Sequence, residues 1–307
     1  MRIAVTGATG FLGRYIVARL TEAGHRLRCW HRHGSDRSGF GAAADSIEWL
    51  TGQLGDALAA HELVQGVDAL VHAALLRPDG AGFIGSAKTD LPAFLQANLM
   101  GSLQLFQEAV EAGVTRCVFI STCAVHDIIL NDRPLDETHP LLPKSHYGAH
   151  KAALEAFVHS YGLGEGWPIC ALRPTGIYGL AHPPEDSKWY DLVGQVMNGE
   201  PIATAQGGKE VHAADVARAV DLLLNADVKV VAGQAYNCTD GYIAEQEVAG
   251  IAKELSGSAS SITDLNRGPK NQIDTGKLRA LGMTFGGAPL LRQTVQELVE
   301  AHRYATP

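Results

Sequence analysis

The chain has 307 residues, 46% of them hydrophobic and 19% charged, with a net charge of −8, an ordinary globular composition with enough apolar matter for a sizeable core. The acidic excess is spread along the chain and no basic run occurs, which argues against nucleic acid and anionic membranes as partners. No apolar stretch approaches the roughly 20 residues of a membrane-spanning helix, and five cysteines without a C-x-x-C pair read as buried thiols of a cytoplasmic protein with no metal site.

The N-terminal MRIAVTGATG reads as a strand and a glycine turn, not as a secretory leader. In chain order, residues 2–6 read as a strand, 11–23 as a helix, 27–31 and 47–50 as strands, 56–64 as a helix and 68–72 as a buried strand. Residues 88–112 read as one long helix, because Leu95, Leu99, Leu103, Phe106 and Val110 fall three or four apart, and Gly113 stops it. A strand over 114–121 and a polar loop over 131–144 follow, and Ser145 is placed to cap the helix that carries Tyr147, Lys151 and Phe157. Residues 168–172 form another strand. Beyond Arg173 and Pro174 the pattern loosens, with loops at 181–186 and 206–208 and helices over 187–198, 213–225, 245–255 and 289–302.

The first strand runs into Thr6-Gly7-Ala8-Thr9-Gly10-Phe11-Leu12-Gly13. Gly7 permits a tight turn, Gly10 lets the backbone approach a pyrophosphate, and Gly13 allows a helix to pack closely on a strand. The helix start then offers unpaired N–H groups and a positive dipole end to an anion. With the strand–helix alternation, this predicts an α/β protein. A Rossmann-type, doubly wound parallel sheet spans residues 1–173, and a smaller C-terminal substrate lobe spans 174–307, with some of its elements returning to the sheet domain.

The G-x-x-G-x-x-G spacing resembles that of the extended short-chain dehydrogenase/reductase (epimerase/dehydratase) family. The resemblance continues through DALVHAA (68–74), Asn98 in ANLMGS, FIST (119–122), YGAHK (147–151), LRPTGIYG (172–179) and VHAADVARAV (211–220), and covers roughly the first 240 residues. It implies a nicotinamide dinucleotide held by Gly7, Thr9, Gly10, Phe11, Leu12, Gly13, Leu54, Ala73, Ala74, Asn98, Tyr147, Lys151, Pro174 and Ile177. In such folds an acid at the end of the second strand binds the ribose of NAD, whereas an arginine accommodates the 2′-phosphate of NADP. Here that strand ends in His31, Arg32 and His33 with no acid. Arg32, with Ser35 as a further donor, therefore favours NADP, and NAD is the alternative. The family's G-D-L after the third strand is Gly52-Gln53-Leu54, which weakens the adenine contact at Gln53.

Tyr147 and Lys151 share one helical face. A lysine ammonium and a positive nicotinamide would lower the tyrosine pKa from its ordinary value of about 10, which suits Tyr147 to acid–base work on a carbon bearing oxygen. Thr122 takes the family's hydroxyl position, with Ser121 as its competitor. His126 stands where relatives have tyrosine and is either a pocket residue or, by preference, structural. Dehydration is disfavoured because Cys123 and Ala124 replace the acid pair of dehydratases. A nucleotide-diphosphate grip looks poorly served by Thr175 and by Lys209-Glu210, although Lys209 could substitute. The substrate is then a small hydroxy or keto compound, sugar-derived or aldehyde-type, lined by residues 75–85, Thr122, Cys123, His126, Thr175, His182 and Trp189. The expected activity is an NAD(P)-dependent dehydrogenase/reductase. A cofactor-retaining sugar epimerase and a non-catalytic NADP sensor are the alternatives. The resemblance also implies a homodimer through the helices over 88–112 and 146–161.

Overall fold

The computed structural model describes residues 1–77, 82, 85, 87–265, 268 and 270–305. It divides into two compact units, one of Met1–Pro174, Val216–Cys238 and Ile273–Met283, the other of Thr175–Asp215, Thr239–Gln272 and Thr284–Pro307.

The strands are β1 (Arg2–Thr6), β2 (Arg26–His31), β3 (Ile47–Thr51), β4 (Ala69–His72), β5 (Arg116–Ile120), β6 (Ile169–Pro174), β7 (Gly176–Tyr178), β8 (Gly207–His212), β9 (Gln234–Cys238) and β10 (Gly241–Ala244). The helices are α1 (Phe11–Glu22), α2 (Ala57–Val64), α3 (Leu91–Leu95), α4 (Gly101–Glu111), α5 (His146–His159), α6 (Tyr190–Met197), α7 (Ala213–Asn225), α8 (Val228–Val231), α9 (Glu245–Ser256), α10 (Gly276–Ala280) and α11 (Gly287–Ala305).

The first unit holds a seven-stranded sheet in the order β3-β2-β1-β4-β5-β6-β9, parallel at every pairing. Strands buried on both faces need continuous apolar runs, which Ile3–Ala4–Val5 and Val118–Phe119–Ile120 supply. Leu63, Leu70, Leu105, Phe106 and Phe119 fill one face of the sheet. Each fully buried side chain of that size contributes roughly 1.5–3 kcal/mol. The second unit has a three-stranded sheet, β10-β8-β7. Its core gathers Tyr178 and Trp189 with Val193, Val248, Val295 and Leu298 from α6, α9 and α11.

The structure departs from the sequence reading in several places, and β7, β10, α8 and α10 all form where the sequence reading gave no element. The long helix is interrupted by a π turn at Gln96–Met100 between α3 and α4. Residues 207–208, read as loop, begin β8 because β7 and β10 pair with it on either side. Residues 234–238, given no element, become the seventh strand by pairing with β6.

The glycine turn is set by contact, since a Cβ at Gly13 would overlap the Gly7 carbonyl and the Ala8 backbone. At Gly10 the nearest atom to such a Cβ is the Gly7 oxygen at 3.3 Å. Gly13→Ala is therefore expected to destabilise the protein by about 2–3 kcal/mol in a denaturant melt, as overpacking does, and Gly10→Ala by less. Equal melts for the two variants would refute this close packing.

Candidate active site

Gly7 adopts φ 73° and lies against Ala73, where a Cβ would stand 2.8 Å from the carbonyl carbon. That segment is braced from below. Ala74 N–H donates to Thr6 Oγ1 (3.1 Å), Thr6 Oγ1 meets His72 Nδ1 (2.7 Å), His72 Nε2 meets Ser102 Oγ (2.9 Å), and Ser102 donates to Asn98 O (2.5 Å). Because Ser102 spends its proton on Asn98, His72 must donate through Nε2 and accept at Nδ1. This is the neutral form, and burial, with Lys151 and His150 adding to it, favours it by pushing the His72 pKa down to about 3.

No side chain caps α1, whose first turn starts at the exposed Gly10, followed by Phe11 and Leu12 at intermediate exposure. Thr9 flanks it, also at intermediate exposure. Beyond the ends of β2 and β3 an open cleft of about 620 Å³ is lined by Arg32, His33, Gly34, Ser35, Thr51, Gly52, Gln53 and Asp56. Arg32 is exposed there, and its backbone N–H donates to Ser35 Oγ at 3.2 Å. The one acid in this lining, Asp56, accepts Ala59 N–H as the cap of α2. Arg14 holds the loop beyond Ser35, donating to Ser38 O (2.5 Å) and Asp36 O (3.0 Å) and stacking over Phe40. Leu54 is buried in the core beside the cleft. An uncapped helix start over a glycine with no Cβ, followed by a polar cleft, fits a dinucleotide.

The catalytic side is built where β5 ends and α5 begins. Side chains alternate along an extended segment, and Ser121 and Thr122 part company accordingly. Ser121 is buried and donates to Glu155. Thr122 is at intermediate exposure, its oxygen accepts Ala124 N–H at 3.1 Å, and its hydroxyl meets the Tyr147 phenol. Ser145 caps α5 by accepting Gly148 N–H at 3.0 Å, and this fixes the turn that carries Tyr147. Lys151 Nζ donates to Ile120 O at 2.8 Å and lies 4.5 Å from the Phe119 ring centre.

The electrostatics differ from the sequence expectation. Burial pushes the Tyr147 pKa up, outweighing the hydrogen bond from Thr122. Burial likewise pushes Lys151 down to about 7, against the opposing pull of Glu155. Desolvation thus dominates both groups, and Tyr147 stands as a protonated phenol.

Other expected contacts fall elsewhere. The Asn98 amide is spent on backbone, accepting Leu76 N–H (2.7 Å) and donating to Leu76 O (2.8 Å) and Phe94 O (3.0 Å), so it braces the segment after β4 and is not a free donor to a ligand. His126 is buried, with Nε2 3.2 Å from Arg173 and Nδ1 3.3 Å from Pro140 O, so neither ring nitrogen is left for a substrate. The Cys123 thiol donates to Arg173 O at 3.0 Å. Pro174 closes β6, buried. In the second unit, Ile177 lies in β7, Thr175 donates to Thr239 Oγ1 at 3.0 Å, and His182 is exposed. Trp189 is buried there in a left-handed conformation (φ 69°), 5.2 Å from Tyr178. Of the expected pocket lining, residues 78–81 and 83–84 lie outside the described residues. Among the described residues no His, Cys, Asp or Glu cluster forms a metal-ligand set, and no helix is long and apolar enough to cross a membrane.

The residues missed by the sequence reading are Glu155, Arg173, His72 and Ser102. Glu155 had a readable signal, since Tyr147, Lys151 and Glu155 recur every four residues and so share one helical face.

The sequence profile of the NAD dependent epimerase/dehydratase family matches residues 3–239. The chain is 27% identical over 271 residues to dTDP-D-glucose 4,6-dehydratase of Mus musculus, an alignment covering 83% of this chain and 72% of that one. It is 29% identical over 247 residues to the 4-hydroxy-2-methyl-3-oxo-4-farnesyl-3,4-dihydroquinoline-1-oxide ketoreductase of Stigmatella aurantiaca, covering 78% and 69% of the two chains. Among solved structures, the NAD complex of UDP-glucose 4-epimerase from Thermus thermophilus shares the fold with a TM-score of 0.77 at 23% identity, covering 99% of this chain and 100% of that one. The protein is an enzyme, and its chain belongs to the NAD dependent epimerase/dehydratase family.

Proposed function

We propose that this enzyme is an NADP(H)-dependent oxidoreductase that interconverts a carbonyl and a secondary alcohol on a small, sugar-derived or aldehyde-type substrate. The observation that carries this reading is the pairing of the Tyr147 phenol with the Thr122 hydroxyl, one helical turn from a buried lysine.

Tyr147 and Thr122 both present hydroxyl protons, and a carbonyl oxygen entering between them accepts from each. Tyr147 then gives up its proton to the developing alkoxide, a role suited to a phenol that burial keeps protonated. Thr122 orients the same oxygen, and Lys151 offsets the charge left on the phenolate. NADPH, when bound, would supply the hydride. Ser121 takes no part, because its hydroxyl belongs to Glu155. Elimination of water fits poorly, since Cys123 turns its thiol to Arg173 O and Ala124 has no titratable group. The ketoreductase relative supports carbonyl reduction as the reaction class.

The preference for NADP rests on Arg32 and Ser35 in the open cleft, with the Asp56 carboxylate engaged in capping. A charged hydrogen bond from Arg32 to a 2′-phosphate is worth about 1.5–3 kcal/mol, or about 10–100-fold in affinity. Fluorescence titration should then show NADPH binding at least about tenfold tighter than NADH, with Arg32→Ala removing the difference. NADH binding as tightly as NADPH would overturn the cofactor assignment. An absorbance assay across hydroxy acids, aldoses and keto compounds tests the reaction. A tightly held cofactor whose absorbance never changes would favour a cofactor-retaining epimerase. The homodimer is checked by the mass in solution.

A further inference from the structure

Glu155 lies two turns beyond Tyr147 and one beyond Lys151 on α5, and it is fully buried. Its carboxylate accepts Arg173 Nε at 3.0 and 3.1 Å, Arg173 Nη2 at 2.6 Å and the Ser121 hydroxyl. Arg173, 2% exposed, extends Nη1 to His126 Nε2 (3.2 Å) and to Glu137 O (3.4 Å). An arginine only donates, so His126 accepts at Nε2 and donates through Nδ1 to Pro140 O. Burial, followed by Arg173, pushes the His126 pKa down to about 4, in keeping with that neutral form. A continuous buried chain thus runs from the 137–140 segment through His126, Arg173 and Glu155 to Ser121, the neighbour of Thr122.

Burying such an ion pair rarely gains stability, because the desolvation cost of two charges offsets their attraction. A pair of apolar side chains would fill the same space as well. The pair's location suggests another use.

We propose that Glu155 is a positioning residue of the Thr122–Tyr147–Lys151 site, holding the end of β5 through Ser121 and Arg173 and supplying the negative charge beside Lys151. This rests on the catalytic reading above. Among the described residues the groups around the lysine are few. Tyr147 and His150 share its helix, His72 faces it from β4, Phe119 lies under it from β5, and Arg173 of β6 is already paired to Glu155. Burial keeps both histidines neutral, their pKa values pushed down to about 3. Glu155 is accordingly the influence that raises the lysine pKa against burial.

The test reads Lys151 directly and needs no substrate. The enzyme is made with lysine labelled at 13Cε, the Lys151 resonance is assigned by its loss in Lys151→Met, and its titration is followed from about pH 5 to 11, a range spanning the ordinary and lowered lysine values. The midpoint should fall by about one unit, a tenfold loss of proton affinity, in Glu155→Gln. The same fall is expected in Glu155→Leu/Arg173→Met, which removes both charges and folds where the single variant does not. An unchanged midpoint in the double variant overturns the proposal. With a substrate in hand, kcat at pH 7 should drop about fivefold, as the protonated fraction of a lysine with a midpoint near 7 does when that midpoint falls by one unit, with NADPH affinity within about twofold of the parent, a shift of under about 0.5 kcal/mol. A shifted midpoint in an enzyme that turns over nothing would instead support the Glu155–Lys151 coupling and sink the catalytic reading alone.

Discussion

Tyr147→Phe should lower kcat by about 10²–10⁴-fold, the usual contribution of a positioned proton donor, while leaving NADPH affinity within about twofold. The substitution removes one oxygen from a buried ring and keeps the packing against His150. Binding and stability should therefore change little while the chemical step collapses. The pH dependence follows from two opposite displacements. Tyr147 is pushed up, so its proton stays available through the neutral range. Lys151 is pushed down to about 7, so its charge is present below that pH and is lost above it. Support for the phenolate fades as the lysine loses its proton, and kcat for reduction should decline as pH rises through about 7. A phenylalanine variant retaining more than about a tenth of the parent rate would remove Tyr147 from the chemistry, since a general acid is worth more than that.

How far this site can be read from sequence depends on the range of the forces that make it. The glycine turn is legible because its demands are local. Gly7 needs a positive φ, and Gly13 must let α1 touch the turn it leaves. The face shared by Tyr147 and Lys151 is legible for the same reason, through helical period. The choice between Ser121 and Thr122 is not local. Alternation puts them on opposite faces, but only the presence of Glu155 behind β5 says which face is which. His126 illustrates the same limit, since its role is set by Arg173 and by Pro140, respectively 47 and 14 residues away. The π turn at Gln96–Met100 is hidden because the apolar repeat runs through it unbroken. The strand Gln234–Cys238 has no strong pattern of its own and exists by pairing with β6.

The same long-range pair yields the largest expected change in stability. Arg173→Met leaves the Glu155 carboxylate buried with Ser121 as its remaining hydrogen-bond donor among the described residues, and breaking one side of a buried pair costs about 3–5 kcal/mol. That is a large share of the roughly 5–15 kcal/mol by which a native protein is stable, so a denaturant melt should show a clearly lower midpoint with little change in slope. Adding Glu155→Leu should recover most of the loss, because the two methylene-rich side chains then fill a space no longer asked to solvate a charge. If the double variant melts like the parent yet loses most of its kcat, the ion pair is kept for the lysine it faces. If it regains both, Glu155 and Arg173 hold β5, β6 and α5 together and nothing more. Arg173→Met melting within about 1 kcal/mol of the parent, well under the cost of an unpaired buried charge, would mean that solvent reaches Glu155. The buried geometry that leaves Ser121 to Glu155 and Thr122 to the substrate would then lose its basis.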